Sequence, residues 1–547
     1  MVDRTDVLIL GGGLAGLTLA LQIKQRLPAL NVVVLERSKH PVPAATHKIG
    51  ESSVEIGADY FDTVLGLREH LTGRQLRKFG FRFFFSDGRR DVDKVLEVGQ
   101  SRYLSIATYQ IDRGIFENFL AERVRAAGAQ FIDGAVVRDF TLSERSRERE
   151  HEAVYEQDGA ERRLSARWLI DASGRAGLLK RRLGLAEPNA HDANGVWFRI
   201  GARIDVDDWS DDATWLARCD PRERWLSTNH LVGEGYWVWL IPLASGSHSV
   251  GIVADANLHP LGEMNSFDRA LHWLHRHQPR LAESLEARRG QLQDFAFLRR
   301  YSYGCKQVFS GDRWALTGEA GVFLDPFYSP GSDFIAIANT YISELIAKDM
   351  EGARVARFAK LYEQVFFDFY RIMLTLYVDQ YTIFGDPEVM PVKVVWDYAY
   401  YWGVLCQLFF QRRLTDTAML ARLHPELDAT RALNEATQSF LRAWSRASRK
   451  RNAATMIDQA ALGWFAELNR GLRDPLDDAG FDARMRENCL LLHGLAAQIV
   501  ACAGAEHPAL DSSTLRALIE RHEGRSGPLP RVPMYPRYAA GDADLRA

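Results

Sequence analysis

The chain has 547 residues and is 47% hydrophobic, enough apolar content for more than one packed core in a folded globular protein. Its 68 basic and 71 acidic residues leave a net charge of -3, which argues against the broad basic field of a nucleic-acid binder or of a protein held on an anionic membrane by charge. The five cysteines, Cys219, Cys305, Cys406, Cys489 and Cys502, are scattered and never form a CxxC pair, so no metal site is expected and a reducing, cytoplasmic setting is.

Asp6-Val7-Leu8-Ile9-Leu10 reads as a buried parallel strand that runs into Gly11-Gly12-Gly13-Leu14-Ala15-Gly16 and an apolar helix through about Gln22. The stretch from Val7 to Leu21 lacks a basic leader and a small-residue cleavage site, so it is expected to stay in the mature protein. Asn31-Val32-Val33-Val34-Leu35-Glu36 gives a second strand. Its acidic end falls about 20 residues after the glycines, the spacing of a dinucleotide-binding turn. In that reading Gly11 permits the turn, Gly13 lets backbone approach a pyrophosphate, Gly16 lets helix pack on strand, and Glu36 accepts from ribose hydroxyls. The pyrophosphate would rest on the amides of the helix N-terminus, from Leu14 and Ala15 onward.

Further along come His47-Lys48-Ile49-Gly50-Glu51-Ser52 and Arg77-Lys78-Phe79-Gly80-Phe81, the latter opening the phenylalanine-rich strand Phe81 to Phe85. The charged stretch Glu144 to Arg163, broken by Asp158-Gly159, reads as a solvated hairpin or loop. Trp168-Leu169-Ile170-Asp171-Ala172-Ser173-Gly174-Arg175 and Gly311-Asp312-Arg313-Trp314-Ala315-Leu316-Thr317-Gly318-Glu319-Ala320 are short apolar strands that run into small-residue turns, which a nucleotide can approach closely. Gly195 to Val206, Tyr236 to Pro242 and His248 to Val253 alternate as strands of a second sheet.

From about Gly331 the pattern is helical, beginning with Ser332 to Lys348. Aromatic faces such as Phe366, Phe369, Tyr370 and Tyr377 read mostly as core, with a minority lining a substrate pocket. No window reaches the ~18 apolar residues of a membrane span. The nearest, Tyr398 to Gln411, is uncharged and reads as a buried helix, a pocket wall or a subunit contact. The basic run Arg446, Arg449, Lys450 and Arg451 reads as a solvated helix end, and Gly524 to Ala547, with four prolines, as a mobile or surface-wrapped tail.

Two stretches far apart carry the most specific signal. Trp237-Val238-Trp239-Leu240-Ile241-Pro242 matches WxWxIP and Phe323-Leu324-Asp325-Pro326-Phe327-Tyr328-Ser329-Pro330-Gly331 matches FxxPxxSxG, each at every fixed position. Beside the glycine turn, this pair resembles the signature set of flavin-dependent halogenases, and the turn at Gly318 and Glu319 resembles the GD motif of FAD enzymes, with Glu319 where Asp is usual.

The resemblance implies an α/β fold: an FAD-binding Rossmann-type domain of the p-hydroxybenzoate hydroxylase type, an inserted antiparallel substrate sheet and a C-terminal helical region. The expected partition is residues 1–80, 101–185 and 301–345 in the FAD domain, 81–100 and 186–300 in the substrate sheet, 346–523 helical, and 524–547 a tail. It places Gly50, Glu51, Ser52, Asp171, Gly318, Glu319, Pro326 and Gly331 with the glycine turn at the cofactor. Reduced FAD, delivered by a separate flavin reductase, would react with oxygen and oxidise bound chloride or bromide to hypohalous acid, which crosses a tunnel to a small aromatic substrate.

A lysine in that tunnel is essential in the family. An ammonium on a flexible stem can hold and polarise a small neutral oxidant, and a partly desolvated lysine can act as nucleophile. An isolated lysine is ordinarily surface charge, but Lys78, before the Phe-rich strand, resembles the KxG environment of phenol- and pyrrole-modifying members. Lys48 would belong to the flavin and halide end. Ser329 would be the halide- and tunnel-side serine. Trp237 and Trp239, otherwise plain strand core, would with Ile241 and Pro242 keep substrate away from the flavin.

Tryptophan halogenases carry a glutamate immediately before that serine, whereas Tyr328 stands here, which points to a phenol, pyrrole or indole-like ring, free or on a carrier protein. Two alternatives remain: a single-component FAD monooxygenase, which would oxidise NADPH by itself, and a halogenase-like binding protein without catalysis.

Overall fold

The computed structural model describes residues 3–44, 48–143 and 150–535. His47, the part of the charged stretch from Glu144 to Arg149, and Pro536 onward lie outside the described residues.

A seven-stranded sheet begins with the apolar run read as a strand. Asp3–Leu10 pairs in parallel with Val32–Glu36 on one side and with Ala160–Asp171 on the other, while Gln130–Asp133 and Trp314–Leu316 extend it in parallel. Val7, Leu8, Ile9 and Leu10 are fully buried, as parallel strands covered on both faces require. The antiparallel hairpin His151–Gln157 and Ala160–Asp171 turns at Asp158-Gly159, and its outer partner is Ala135–Thr141. Helices Leu14–Arg26, Arg113–Ala126 and Gly331–Met350 pack together. Sequence-distant pieces thus build one layered unit.

The second sheet has eight strands, in the order Leu292–Leu298, Ala193–Ile200, His248–Asp255, Tyr236–Pro242, Thr228–Gly233, Phe81–Phe84, Glu97–Gly99 and Met456–Asp458. It is antiparallel through most of its width, with parallel pairings of Thr228–Gly233 to Phe81–Phe84 and of Met456–Asp458 to Glu97–Gly99. The strand expected over Gly195 to Val206 ends at Ile200, and Val206 opens a 3-10 turn instead.

Alternation along the strands sorts the side chains. Phe198, Ile200, Val238, Leu240, Val250 and Ile252 form one core with helices Phe267–His277 and Pro279–Glu286. Trp197, Val232, Trp237, Trp239 and Ile241 face the other way, into the larger core shared with the first sheet and the C-terminal helices.

In the helical region Met390–Tyr400 continues through the π-helical turn Tyr401–Cys406 into Gln407–Phe410. A π turn re-aims side chains and often marks a functional place. Two long helices, Thr417–Ala447 and Asp478–Glu506, close this side. The second is long and apolar enough to cross a membrane, contrary to the reading of the sequence, but 61% of its apolar window is buried within the fold, as in a core helix. Helix Ser513–Ser526 runs past the expected start of the tail, and Val532, Met534 and Tyr535 are buried beyond it.

Candidate active site

The nucleotide end is defined by what each glycine touches. A Cβ at Gly11, whose φ is +114°, would lie 2.3 Å from the Ala172 carbonyl oxygen, and one at Gly16 would lie 2.0 Å from the Gly11 oxygen. At Gly13 a Cβ would meet nothing within 4 Å. That side is open. Helix Leu14–Arg26 has no side-chain cap, so the amides of Leu14, Ala15 and Gly16 are available to an anion. Glu36, at its strand's end, accepts from the N–H of Gly12 at 2.7 Å and of Ser38 at 2.8 Å. Gly318, at φ +61°, presses the second turn on Ala15, where an added Cβ would come within 2.9 Å, and Glu319 stands 3.7 Å from Arg175. An open turn, an uncapped helix and a strand-end carboxylate fit the pyrophosphate and ribose of FAD.

Lys78 points inward. Its N–H is held by the Thr108 carbonyl at 2.8 Å, the next N–H by Leu226 at 3.0 Å, and Gly80 turns at φ +67° against Gln100. The side chain is 4% exposed. Nζ donates to Ser52 Oγ at 2.9 Å and to the Ser53 carbonyl at 3.0 Å, and lies 3.5 Å from the centroid of the Phe81 ring. One N–H is left for a ligand.

Lys78 lines a polar chamber of about 20 Å³ with Glu55, Gln100, Tyr103 and Thr108. Val54 and Tyr398 border both this chamber and an aromatic cavity of about 30 Å³, whose walls include Phe81, Tyr328, Met373 and Tyr401. Each volume suits one or two water-sized molecules, so an aromatic ring enters only if side chains move.

Burial sets the electrostatics. Desolvation pushes the Lys78 ammonium down to about 7, against the raising pull of Glu55 and Asp333. Desolvation likewise raises Asp333 to about 8, although the Tyr401 hydroxyl at 2.6 Å and the Gly57 N–H at 2.8 Å favour its charged form. Glu55 is raised by burial too. His230, wedged against Phe83 and Phe327, is pushed down to about 3 by burial and by Lys78, and so is neutral.

The two sequence motifs meet through one carboxylate. Asp325 Oδ2 accepts from His191 Nε2 at 2.6 Å, Tyr301 at 2.6 Å and Tyr381 at 2.5 Å, and Tyr381 in turn accepts from the Trp237 indole at 3.1 Å. Phe327 stacks on Phe384 at 4.4 Å and meets Trp237 edge-on at 5.1 Å. Trp239 donates to Ser249 Oγ at 3.1 Å, and Ile241 and Pro242 carry the strand on against Ser249 and His248. Ser329, at φ +53°, closes a turn on the Pro326 carbonyl, and Gly331 opens an uncapped helix. Tyr328 donates to Asp397 Oδ2 at 2.8 Å, so a carboxylate from the helical region reaches the place where Tyr328 replaces glutamate.

Three expected sites are held by partners of their own. Lys48 is half-exposed and paired with Glu117, which Arg113 also binds. Asp171 spends its oxygens on Ser173 and on the Leu179 N–H, which shapes the turn rather than reaching outward. Glu51 is buried against Arg199 of the second sheet and anchors Gly50 and Ser52 there. In the basic run, Lys450 pairs with Glu234, and Arg451 with Glu388 and Glu506. Sequence reading missed Glu55, Asp333 and Asp397. For Glu55 and Asp333 the available signal was an acid at the start of an apolar helical segment, which also describes an ordinary helix cap, whereas Asp397 lies inside Met390–Tyr400 and nothing local marks it.

A family profile described as an FAD binding domain matches residues 4–249. The flavin-dependent halogenase chlA of Dictyostelium discoideum is 26% identical over 473 residues, 79% of this chain and 76% of its own. A 1H-pyrrole-2-carbonyl peptidyl-carrier-protein chlorinase of Pseudomonas fluorescens is 25% identical over 345 residues, 60% of this chain and 72% of its own. Among solved structures, halogenase PltM superposes with a TM-score of 0.62 at 18% identity, covering 95% of this chain and 97% of its own, which speaks for the fold.

Proposed function

The chain being a member of the flavin-dependent halogenases, we propose that it halogenates an electron-rich ring of a small aromatic, of phenol, pyrrole or indole type, with hypohalous acid held by Lys78. The observation that carries this is the buried Lys78, tied to Ser52 and Ser53 and open to a chamber that adjoins an aromatic cavity. FAD, when bound in reduced form, supplies the two electrons with which oxygen and chloride or bromide become hypohalous acid and water.

This chain's residues do the rest. Gly13 and the helix start hold the pyrophosphate. Trp237 and Trp239, fixed by Tyr381 and Ser249, keep organic substrate from the flavin, and Ser329 shapes the turn beside Tyr328. Ser52 and the Ser53 carbonyl orient the Lys78 amine, whose remaining N–H polarises the oxidant's oxygen. An amine that titrates near 7 serves either as this donor or, neutral, as a nucleophile forming a haloamine. The sign of the pH dependence separates them: a donor loses activity as pH rises through about 7, a nucleophile as pH falls through it.

Tyr328 in place of a glutamate argues against free tryptophan as substrate. The Pseudomonas fluorescens relative is named for a carrier-bound pyrrole, and a tethered ring is one form the substrate takes in this reading. A separate reductase supplies the reduced FAD.

The test is mass spectrometry of products from a panel of phenols, pyrroles and indoles with a flavin reductase and competing chloride and bromide. Halogenated product that disappears in Lys78→Ala supports the reading. Hydroxylated product formed with NADPH and no reductase would replace it with a monooxygenase.

A further inference from the structure

Three carboxylates border the Lys78 chamber and its aromatic neighbour, and they differ in what their oxygens are doing. Asp333 accepts from Tyr401 on one oxygen and from the Gly57 N–H on the other. Asp397 accepts from Tyr328, Lys393 and Gln438. Glu55 is only 6% exposed, its Oε1 has one long contact at 3.5 Å to Asn469, and its Oε2 has no hydrogen-bond partner among the described residues. The Trp402 indole N–H and the Glu55 N–H lie near enough to favour the charged form, but neither reaches Oε2 in good hydrogen-bond geometry, and the indole N–H has no other partner among the described residues. A buried carboxyl oxygen with nothing to accept is costly unless a ligand completes it. Glu55 and Lys78 line the same chamber and form no ion pair.

Resting on the halogenase reading of this chamber, we propose that Glu55 is the catalytic base that takes the proton of a hydroxyl on the substrate ring, so that the site selects hydroxyarenes. The groups facing Glu55 are Lys78, which favours its charge, and Asp333, Tyr398, Tyr401 and Cys406, with Asn469 and Trp402 as neutral donors. Desolvation dominates and raises Glu55 above an ordinary carboxyl, toward the pH at which a base works best. A phenol is acidic enough for such a base, whereas a pyrrole or indole N–H is far less so.

The step balances within these residues. Glu55 carboxylate removes the ring hydroxyl's proton, and the ring carbon beside or opposite that oxygen attacks the halogen of hypohalous acid. The halogen–oxygen bond breaks, and the departing hydroxide takes a proton from the Lys78 ammonium to become water. Neutral Lys78 then accepts the proton of the substituted ring carbon, and protonated Glu55 returns its proton to the ring oxygen. The net change is hypohalous acid plus hydroxyarene to haloarene and water, with both side chains restored.

The experiment compares wild type, Glu55→Gln and Glu55→Asp on the best hydroxyarene of the product panel, with oxidant formation followed separately by a thioether scavenger. Glu55→Gln is expected to lower kcat by at least about tenfold, as loss of a general base does, while oxidant formation and FAD binding stay unchanged. It is also expected to remove the acid limb of the pH profile, where wild-type rate falls as Glu55 protonates, and Glu55→Asp to retain that limb. Oxidant formation falling in step with product, or a Gln variant that keeps the limb, overturns the proposal. Products from pyrroles or indoles alone also overturn it while leaving the halogenase reading intact. Wild type that makes no oxidant refutes that reading instead.

Discussion

At the scale of the residue, Lys78 couples activity to stability. Its folded-state value near 7 lies below the unfolded one of 10.5, so the fold disfavours the charged amine. That penalty is fully present below pH 7, where both states are protonated, and is relieved as pH rises from 7 toward 10.5, where only the unfolded chain keeps the proton. Lys78→Met, which removes the buried charge, is therefore expected to abolish halogenation yet to raise stability by about 1 kcal/mol or more below pH 7, with the advantage shrinking toward pH 10. Calorimetry across that range checks it; a Met variant less stable than wild type at pH 6 would show that the bonds to Ser52 and Ser53 outweigh the desolvation. Lys78 was legible because KxG before a Phe-rich strand is a local pattern. Glu55 was not, because what marks it is an oxygen left without a donor by Trp402 and Asn469, which lie more than three hundred residues along the chain.

At the scale of the element, the glycine turn separates folding from binding. Gly11→Ala and Gly16→Ala drive a methyl into backbone oxygens and are expected to cost about 2–4 kcal/mol or to prevent folding. Gly13→Ala meets open space, so thermal stability without cofactor should hold within about 0.5 kcal/mol while FAD affinity, read by fluorescence titration, falls at least tenfold. Equal loss of stability in all three would remove the distinction. This turn was legible because strand, glycines and acid sit in one local stretch, whereas Asp171 and Glu51 show the limit of such reading. Both have the right chemistry, but their partners, the Leu179 N–H and Arg199, come from elsewhere and decide their roles. The π-helical turn at Tyr401 was likewise invisible, since its residues also suit an α-helix.

At the scale of the whole molecule, the interleaving of the first sheet could be read from three strand-turn segments, but the closure of the chamber could not. Its wall at residues 100–108 is held by the C-terminal region: Asp458 accepts from Ser101 N–H at 3.0 Å and Oγ at 2.7 Å, Asn469 from the Ile106 N–H at 3.1 Å, and Met456–Asp458 pairs with Glu97–Gly99. Asp458→Ala is expected to loosen this wall, lowering halogenated product per reduced flavin several-fold while scavengable oxidant in solution rises; unchanged coupling would show that the wall stands without it. The strand Met456–Asp458 also has a meaning in time. A ribosome completes the glycine turn, Lys78 and both sequence motifs long before it makes this strand, so those parts emerge before the contacts that hold the wall at residues 100–108 exist. On the function proposed above, the chamber takes its working shape only after residue 458 has been made.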